Sequence, residues 1–527
     1  MSKFDVIVIG GGVVGSGVLR DLSLRGVRTL LVDRGDFASE ASGKNHGLLH
    51  SGARYVISDP ESAQECAMEN IILRRIAKHT IEDTGGLFVA TRNEDLEYLD
   101  SFLKGCSKTK VEHREITVKE ALEKEPFLTK NIKAAVWVND GSIDPFLLVV
   151  SNVLSALQNG AEALNYASAR PILSNGAVIG VEVLRNGKCE KYFSEIVVNA
   201  TGAWAGIVAG QVGIKLNTRP NKGTLVVLNN RVINHVINHL RYPSDGDIIV
   251  PHYSTMILGT TSTFVENPDN ILPENEEVEK IMKEGEEMIP IVAESRIIRA
   301  FSGVRPLFGE GSGRTVTRGM LLVDHEEEGV EGFVTITGGK LTTYRLMAEK
   351  TADLVCEKLG IRAKCRTAEE PILGSEGTPP PLEEIQRRFQ VNPLTAKEIV
   401  NKYGTMSSAM PQKPGLICEC SLVSRAEIVH SFEALFAKNL RDVKRRTRLG
   451  MGTCQGQLCV HRAAEVMVED LKFSAPQALN SLAEFLDEQW KIAHILKGDQ
   501  LRQLMFAKVM FEMVGNIRHR GGEVARS

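Results

Sequence analysis

The sequence predicts an α/β and α+β protein, with a parallel sheet at its start, mixed sheet in its middle and a small helical unit near its end. Three observations carry this. The chain opens with a short apolar strand, a glycine-rich turn, a helix and a second strand. Its middle, roughly 140–345, mixes apolar strands with Gly turns. From about residue 370 the pattern turns mostly helical, and four of the nine cysteines gather there.

Each element has a local cause. "FDVIVIG" (4–10) is a near-continuous apolar run, as a strand covered on both faces would be. "VVGSGVLRDLSLRG" (13–26) reads as a helix stopped by Gly26, and "RTLLVD" (28–33) as the next strand. This order is βαβ grammar and calls for parallel pairing. "SDPESAQECAMENIILRRIAKH" (58–79) reads as a long helix, with Asp59 as N-cap and Pro60 at its first position. "EIVVNATGAWA" (195–205), "GTLVVL" (223–228) and "FVTITGG" (333–339) read as strands running into turns. "GSEGTPPPLEE" (374–384) reads as a linker, and the last ten residues, 518–527, as a frayed end.

Length and composition bound the function. A chain of 527 residues exceeds one hydrophobic core, so two or three domains are expected. Net charge is −3, which gives no global basic field for nucleic acid. No apolar run reaches the length that spans a bilayer. "MSKFDVIVIG" enters a strand directly and lacks the regions of a signal peptide, so a cytoplasmic chain with reduced thiols is expected. An odd number of cysteines argues against a disulfide framework.

"GGGVVG" (10–15) places Gly10, Gly12 and Gly15 in G-x-G-x-x-G spacing between strand and helix. One glycine makes the tight turn, one admits a pyrophosphate, and one lets helix and sheet pack closely. The phosphate then meets the N–H groups at the helix start. Asp33 ends the second strand, where a carboxylate can accept ribose hydroxyls. Together these predict a dinucleotide site.

The polar loop "ASGKNHGLLHSGARY" (41–55) resembles the flavin-approach loop of the D-amino-acid-oxidase-like flavoproteins, and "VVNATGAWA" (197–205) resembles their second FAD contact. The resemblance implies FAD, on a Rossmann-type domain interleaved with a mixed-sheet substrate domain. It implies cofactor contacts from Ser42, Asn45 and His46, from Thr201 and Gly202, and from Gly338, Gly339, Lys340, Leu341 and Thr342 in "TGGKLTTYR". "HGLLHSGARY", "FSGVRPL" and "ITGGKLTTYRLMAEKTADLV" further resemble FAD-dependent glycerol-3-phosphate dehydrogenases. By that resemblance Arg54, Tyr55, Arg305, Arg318 and Lys340 form a cationic pocket beside the flavin. A phosphate dianion needs several such donors. The aerobic branch of that family has a His where this chain has Thr224. His50 is therefore the candidate base, with flavin positioning as its other reading. The alternative substrate is another 2-hydroxy acid or an amino acid.

Cys418 and Cys420 are followed by Cys454 and Cys459, in "GMGTCQGQLC". Four thiols from two short loops suit an iron–sulfur cluster or a zinc ion, and C-x-C is tight for zinc. The spacing and "RRTRLGMGTCQGQLC" (445–459) resemble bacterioferritin-associated-ferredoxin-type [2Fe–2S] domains. The basic run "KRRTR" (444–448) reads as a solvated helix face. The expected division is 1–370 for the flavin and substrate parts, 371–412 for a linker and helical segment, 413–470 for the cluster domain and 471–527 for a helical extension. A flavin domain joined to such a cluster resembles the anaerobic branch of the dehydrogenase family. That branch implies oxidation of glycerol 3-phosphate and electron transfer to quinone. It also implies two partner subunits, a second flavoprotein and an iron–sulfur membrane anchor, which hold the chain on the inner face of the cell membrane.

Overall fold

The structure is a computed structural model that describes residues 3–309 and 319–517. Arg318 and the expected frayed end lie outside the described residues.

An eight-stranded sheet carries the N-terminal unit. Strand Lys3–Ile9 lies at its centre, parallel to Thr29–Val32 on one side and to Lys188–Asn199 on the other. Glu162–Leu164 and Phe333–Gly338 extend the parallel part. Helices Val13–Leu24, Pro145–Gln158 and Tyr344–Lys358 cover one face, through Leu19, Leu22, Val149, Val153 and Met347. The close approach needs Gly17, where a Cβ would lie 3.0 Å from both Tyr344 and Ala348.

A nine-stranded, mainly antiparallel sheet forms the second layer. Its strands come from two stretches of chain that alternate with the three stretches of the first sheet, so the two units are interleaved as expected. Two long strands, Thr218–Leu228 and Ile297–Phe308, pair antiparallel with Asn221 opposite Arg305 and Gly223 opposite Gly303. This register brings Arg305 to the open end of the first sheet. The predicted helix at 58–79 spans Pro60–Ile76, and the Asp59 side chain accepts the Ser62 N–H.

The stretch 371–412 is tied down on both sides. Helices Leu382–Phe389 and Pro393–Tyr403 bury Ile385, Phe389, Ile399 and Tyr403 against Leu147 and Val150 of the N-terminal unit and Ala426 and Leu435 beyond. Past this segment a short hairpin, Leu416–Cys418 with Val423–Ser424, and helices Arg425–Glu433, Leu440–Thr447, Val460–Glu469 and Ala475–Trp490 enclose a separate core.

One expectation is overturned here. The basic run 444–448 is not a solvated face: Lys444, Arg446, Thr447 and Arg448 are buried, and Arg445 is largely covered. The reason is a set of counter-charges distant in sequence. Arg445 and Arg446 both bind Asp36, at 2.6 Å, and Arg448 reaches Asp144 at 3.3 Å.

Candidate active site

The glycine-rich turn is built as its spacing requires. Gly10 has a φ of 109°, and a Cβ there would sit 2.5 Å from the Ala200 carbonyl oxygen. A Cβ on Gly15 would sit 1.9 Å from the Gly10 carbonyl oxygen. The Val13 N–H at the helix start donates to Ser42 Oγ at 2.9 Å, and Gly12 leaves room for that hydroxyl. These groups face a cleft of about 420 Å³, which Thr201, Gly202, Gly338, Gly339, Lys340 and Leu341 close from the opposite side. A bare backbone surface at a helix N-terminus fits a pyrophosphate.

Asp33 lines the cleft and also holds the turn. Its carboxylate accepts the Gly11 and Gly35 N–H groups at 2.5 and 2.7 Å. Burial pushes its pKa up to about 6. Asn45 locks its own loop by donating to the Ser42 carbonyl and accepting the Gly47 N–H. Thr342 stands behind the wall, where its hydroxyl accepts the His50 N–H at 3.0 Å.

A larger cavity of about 840 Å³ adjoins the cleft. Asn45, His46, His50, Tyr55 and Arg305 line both, so this is where a bound flavin and a substrate would meet. The His50 ring lies 5.3 Å from the Tyr55 ring, and the Lys340 ammonium lies 4.7 Å over Tyr55. The structure thus brings together His50, Arg54, Tyr55, Arg305 and Lys340. Lys340 belongs to the cofactor cleft, whereas Arg54 belongs to the larger cavity.

The cations are held by groups that sequence reasoning missed. Arg54 is buried and paired with Asp247 at 2.8 Å. That pair, with bonds from the Ser244 N–H and hydroxyl, keeps Asp247 below the usual carboxylate range against the upward push of burial. Arg305 donates to Asn221 at 2.7 Å, to Thr260 and to the Thr261 carbonyl. Gly223 makes room for that guanidinium, since a Cβ there would meet it at 2.3 Å. No local sequence signal marks Asp247, Asn221 or Thr260. Thr224 does not face the cavity. Its neighbours Gly223 and Leu225 do, while its hydroxyl is buried against Glu277 and Ser302.

The four clustered thiols converge as well. Cys418 and Cys420 are 3.9 Å apart, and Cys420 and Cys454 are 3.5 Å apart. Sharing of S–H protons from Cys420 and Cys459 holds Cys418 and Cys454 far below the usual thiol range. Among the described residues, the three or more ligand atoms that fall within 4.8 Å of one another are those of His239, Glu284 and Glu287, not thiols. The thiols thus stand as neighbours on two short loops, the donor set that a thiolate-bound metal centre requires. Arg241 already answers the two glutamates, at 3.6 and 3.0 Å.

A nucleotide turn, a cation-rimmed cavity and a thiol cluster define an oxidoreductase with a flavin and an iron–sulfur centre. The family profile described as "FAD dependent oxidoreductase" matches residues 5–354, and "BFD-like [2Fe-2S] binding domain" matches residues 416–469. The cofactors are accordingly FAD and a [2Fe–2S] cluster. The chain is 41% identical to a subunit of the anaerobic glycerol-3-phosphate dehydrogenase of Haemophilus influenzae, over 97% of this chain and 93% of that one. It is also 41% identical to the same-named protein from Escherichia coli, over 96% of each. The chain belongs to this family of anaerobic glycerol-3-phosphate dehydrogenase subunits. Among solved structures, the glycerol-3-phosphate dehydrogenase from Bacillus halodurans shares the fold, with a TM-score of 0.70 and 22% identity over 94% of this chain and 96% of that one. Among the described residues no helix is long and apolar enough to cross a membrane.

Proposed function

We propose that the chain oxidises sn-glycerol 3-phosphate to dihydroxyacetone phosphate and passes the electrons on towards quinone. The carrying observation is the wall shared by the cofactor cleft and the larger cavity, where Arg305, His50 and Tyr55 stand with Arg54 and Lys340 close by. When bound, the flavin supplies a two-electron hydride acceptor and the cluster a one-electron carrier.

The residues divide the remaining work. Gly10, Gly12, Gly15, Asp33, Ser42, Thr201, Gly202, Gly338, Gly339 and Leu341 hold the cofactor, and Cys418, Cys420, Cys454 and Cys459 hold the cluster. Arg305 and Arg54 face a substrate phosphate, each kept at its post by a fixed acceptor, with Lys340 adding charge from the cleft. His50 takes the hydroxyl proton as the carbon–hydrogen bond at C2 gives up its hydride. Its backbone is pinned by Thr342 and by Asn70, which donates to the His50 carbonyl at 3.1 Å. The partners of this reading are two further subunits, a second flavoprotein and an iron–sulfur anchor, which would hold the chain on the inner membrane face.

The test is anaerobic addition of glycerol 3-phosphate to the FAD- and cluster-loaded chain, with flavin absorbance and the paramagnetic signal of the cluster followed together. Bleaching followed by a reduced [2Fe–2S] signal supports the reading. Bleaching by a 2-hydroxy acid or amino acid, and not by glycerol 3-phosphate, overturns the substrate.

A further inference from the structure

A third cavity, of about 460 Å³, opens where the flavin-binding unit meets the C-terminal unit. The segment 35–45 separates it from the substrate cavity, with Lys44 and Asn45 in the shared wall. Strand residues Val227, Ile257 and Phe301, together with Leu272 and Met451, give it an apolar side. Its other side is cationic: seven Lys and Arg side chains line it against three carboxylates, Asp36, Glu40 and Glu488.

Most of these cations are committed. Arg445 binds Asp36 and Asp442, Arg441 binds Glu484, and Arg448 binds Asp144 and the His252 ring. Lys444 is the buried exception. It is 2% exposed, and its Nζ makes no hydrogen bond among the described residues. The nearest carboxylate, Glu488, lies 3.8 Å away and is already taken by Arg299 at 2.5 Å. Its remaining neighbour of note is the Phe485 ring, at 5.2 Å. A buried ammonium that makes no hydrogen bond and shares its one counter-charge at 3.8 Å is costly. The Lys444 side chain lines the wall of a space large enough for a small molecule. Asp442, Glu484 and Asp144 answer Arg445, Arg441 and Arg448 from behind the wall, so the negative charge still wanted is the one beside Lys444, and the apolar side asks for an organic portion.

We propose that this cavity is a binding site for a small organic phosphate, separate from the substrate cavity, in which Lys444 is the buried phosphate ligand. Arg299, Arg441 and Lys444 would reach it from the substrate sheet and from helix Leu440–Thr447, so an occupant ties the two units together. The carboxylate of Glu488 stays on Arg299.

The experiment uses 4-bromophenyl phosphate and inorganic phosphate as probes, on the full chain loaded with FAD and cluster. Equilibrium dialysis compares wild type with Arg305→Ala, which disables the substrate cavity, and with Lys444→Met and Lys444→Arg. The expected result is two equivalents of 4-bromophenyl phosphate on wild type, of which one survives Arg305→Ala. Lys444→Met weakens that survivor about 10- to 100-fold, the worth of a charge-assisted hydrogen bond. Lys444→Arg keeps it within a few-fold, and inorganic phosphate, lacking the apolar part, binds more weakly. A single equivalent abolished by Arg305→Ala overturns the proposal, as does a survivor indifferent to Lys444→Met. The anomalous signal of bromine in wild-type crystals decides without any variant: density beside Val227 and Ile257 supports the site, and bromine confined to the substrate cavity refutes it.

Discussion

At the scale of single residues, the site depends on groups placed so that one atom more or less is felt. Gly15 is the clearest case, because any Cβ would stand 1.9 Å from the Gly10 carbonyl oxygen. Gly15→Ala should therefore open the turn and yield protein with little flavin, read as the ratio of flavin to protein absorbance. Retention of wild-type flavin would refute the cradle. Arg305 presents its guanidinium to both cavities while Asn221, Thr260 and Thr261 fix its plane. Loss of one or two charge-assisted bonds predicts a fall of about 10- to 1000-fold in kcat/KM for glycerol 3-phosphate in Arg305→Ala. Arg305→Lys should recover only part, since a point charge lacks the fork. Equal activity in all three proteins would remove Arg305 from substrate binding. Lys444 carries a pH signature. Burial, with Arg299 next in effect, brings its pKa down from 10.5 to about 7. The unfolded chain then holds that proton more tightly than the folded one. The contribution of Lys444 to stability therefore rises with pH between about 7 and 10.5, and its full cost is present below 7. The nearby Glu488 is held far below the usual range by Lys444 and Arg299 together, yet Arg299 alone, at 2.5 Å, can keep it ionised. Lys444→Met should therefore melt several degrees higher than wild type at pH 6 in phosphate-free buffer, with the gap closing by pH 9.5. A variant that melts lower at pH 6 would contradict the burial cost.

At the scale of elements, local rules read well wherever the cause is local. The opening strand, turn and helix follow from apolar runs and glycine spacing, and helix Pro60–Ile76 begins where Asp59 and Pro60 say it should. Helix Arg425–Glu433 shows how local and distant causes can share one side chain. Ser424 and Glu427 form a reciprocal capping box at its start. The same Glu427 carboxylate also binds the buried Lys402 ammonium from helix Pro393–Tyr403, a pair with side chains 1% and 0% exposed. Breaking such a pair from one side leaves an uncompensated charge, at about 3–5 kcal/mol. Glu427→Gln should thus lower the melting temperature sharply, and addition of Lys402→Met should restore much of the loss. A double variant as unstable as the single one would assign the effect to the cap alone. What the sequence could not show has this long-range character. The Arg54–Asp247 bond joins residues 193 apart, and the bond of Arg446 to Asp36 joins residues 410 apart. The charge-run rule failed at 444–448 for that reason: the rule assumes water as the partner, and the fold supplies carboxylates instead. The phosphate turn and the four thiols were legible because their chemistry depends on spacing along the chain. The supports of Arg305 were not, because they depend on the register of two strands whose facing residues, Asn221 and Arg305, lie 84 apart in the chain.

At the scale of the whole molecule, the flavin-binding unit and the thiol-bearing unit are joined by polar contacts withdrawn from water. Arg446 donates twice to Asp36, at 2.6 and 3.0 Å, with the side chains of both fully buried. Tyr166 donates to Asp442 at 2.6 Å, Asn165 to the Phe436 carbonyl at 2.9 Å, and Tyr403 to the Arg446 carbonyl at 3.0 Å. Burial alone would raise the Asp36 pKa, yet Arg446 and Arg445 pull it below the usual carboxylate range. The ionised pair is therefore the native arrangement at neutral pH. Such a pair is a weak source of net stability but a strong source of register, since any displaced geometry strands a charge. On the proposed function, a hydride accepted on one side of this seam leaves the other side as single electrons, so a fixed seam would fix the transfer distance. Arg446→Ala strands Asp36 with Arg445 as its remaining cation and should loosen the seam without touching either cavity near the flavin. The expected outcome is wild-type flavin bleaching by glycerol 3-phosphate in stopped flow, with the reduced-cluster signal delayed in freeze-quenched samples taken over the same interval. Arg446→Lys, which keeps the charge but not the fork, should fall between the two. A melting temperature lowered as the stranded carboxylate requires, with the cluster still reduced at the wild-type rate, would show that the seam supports the fold but does not set the transfer.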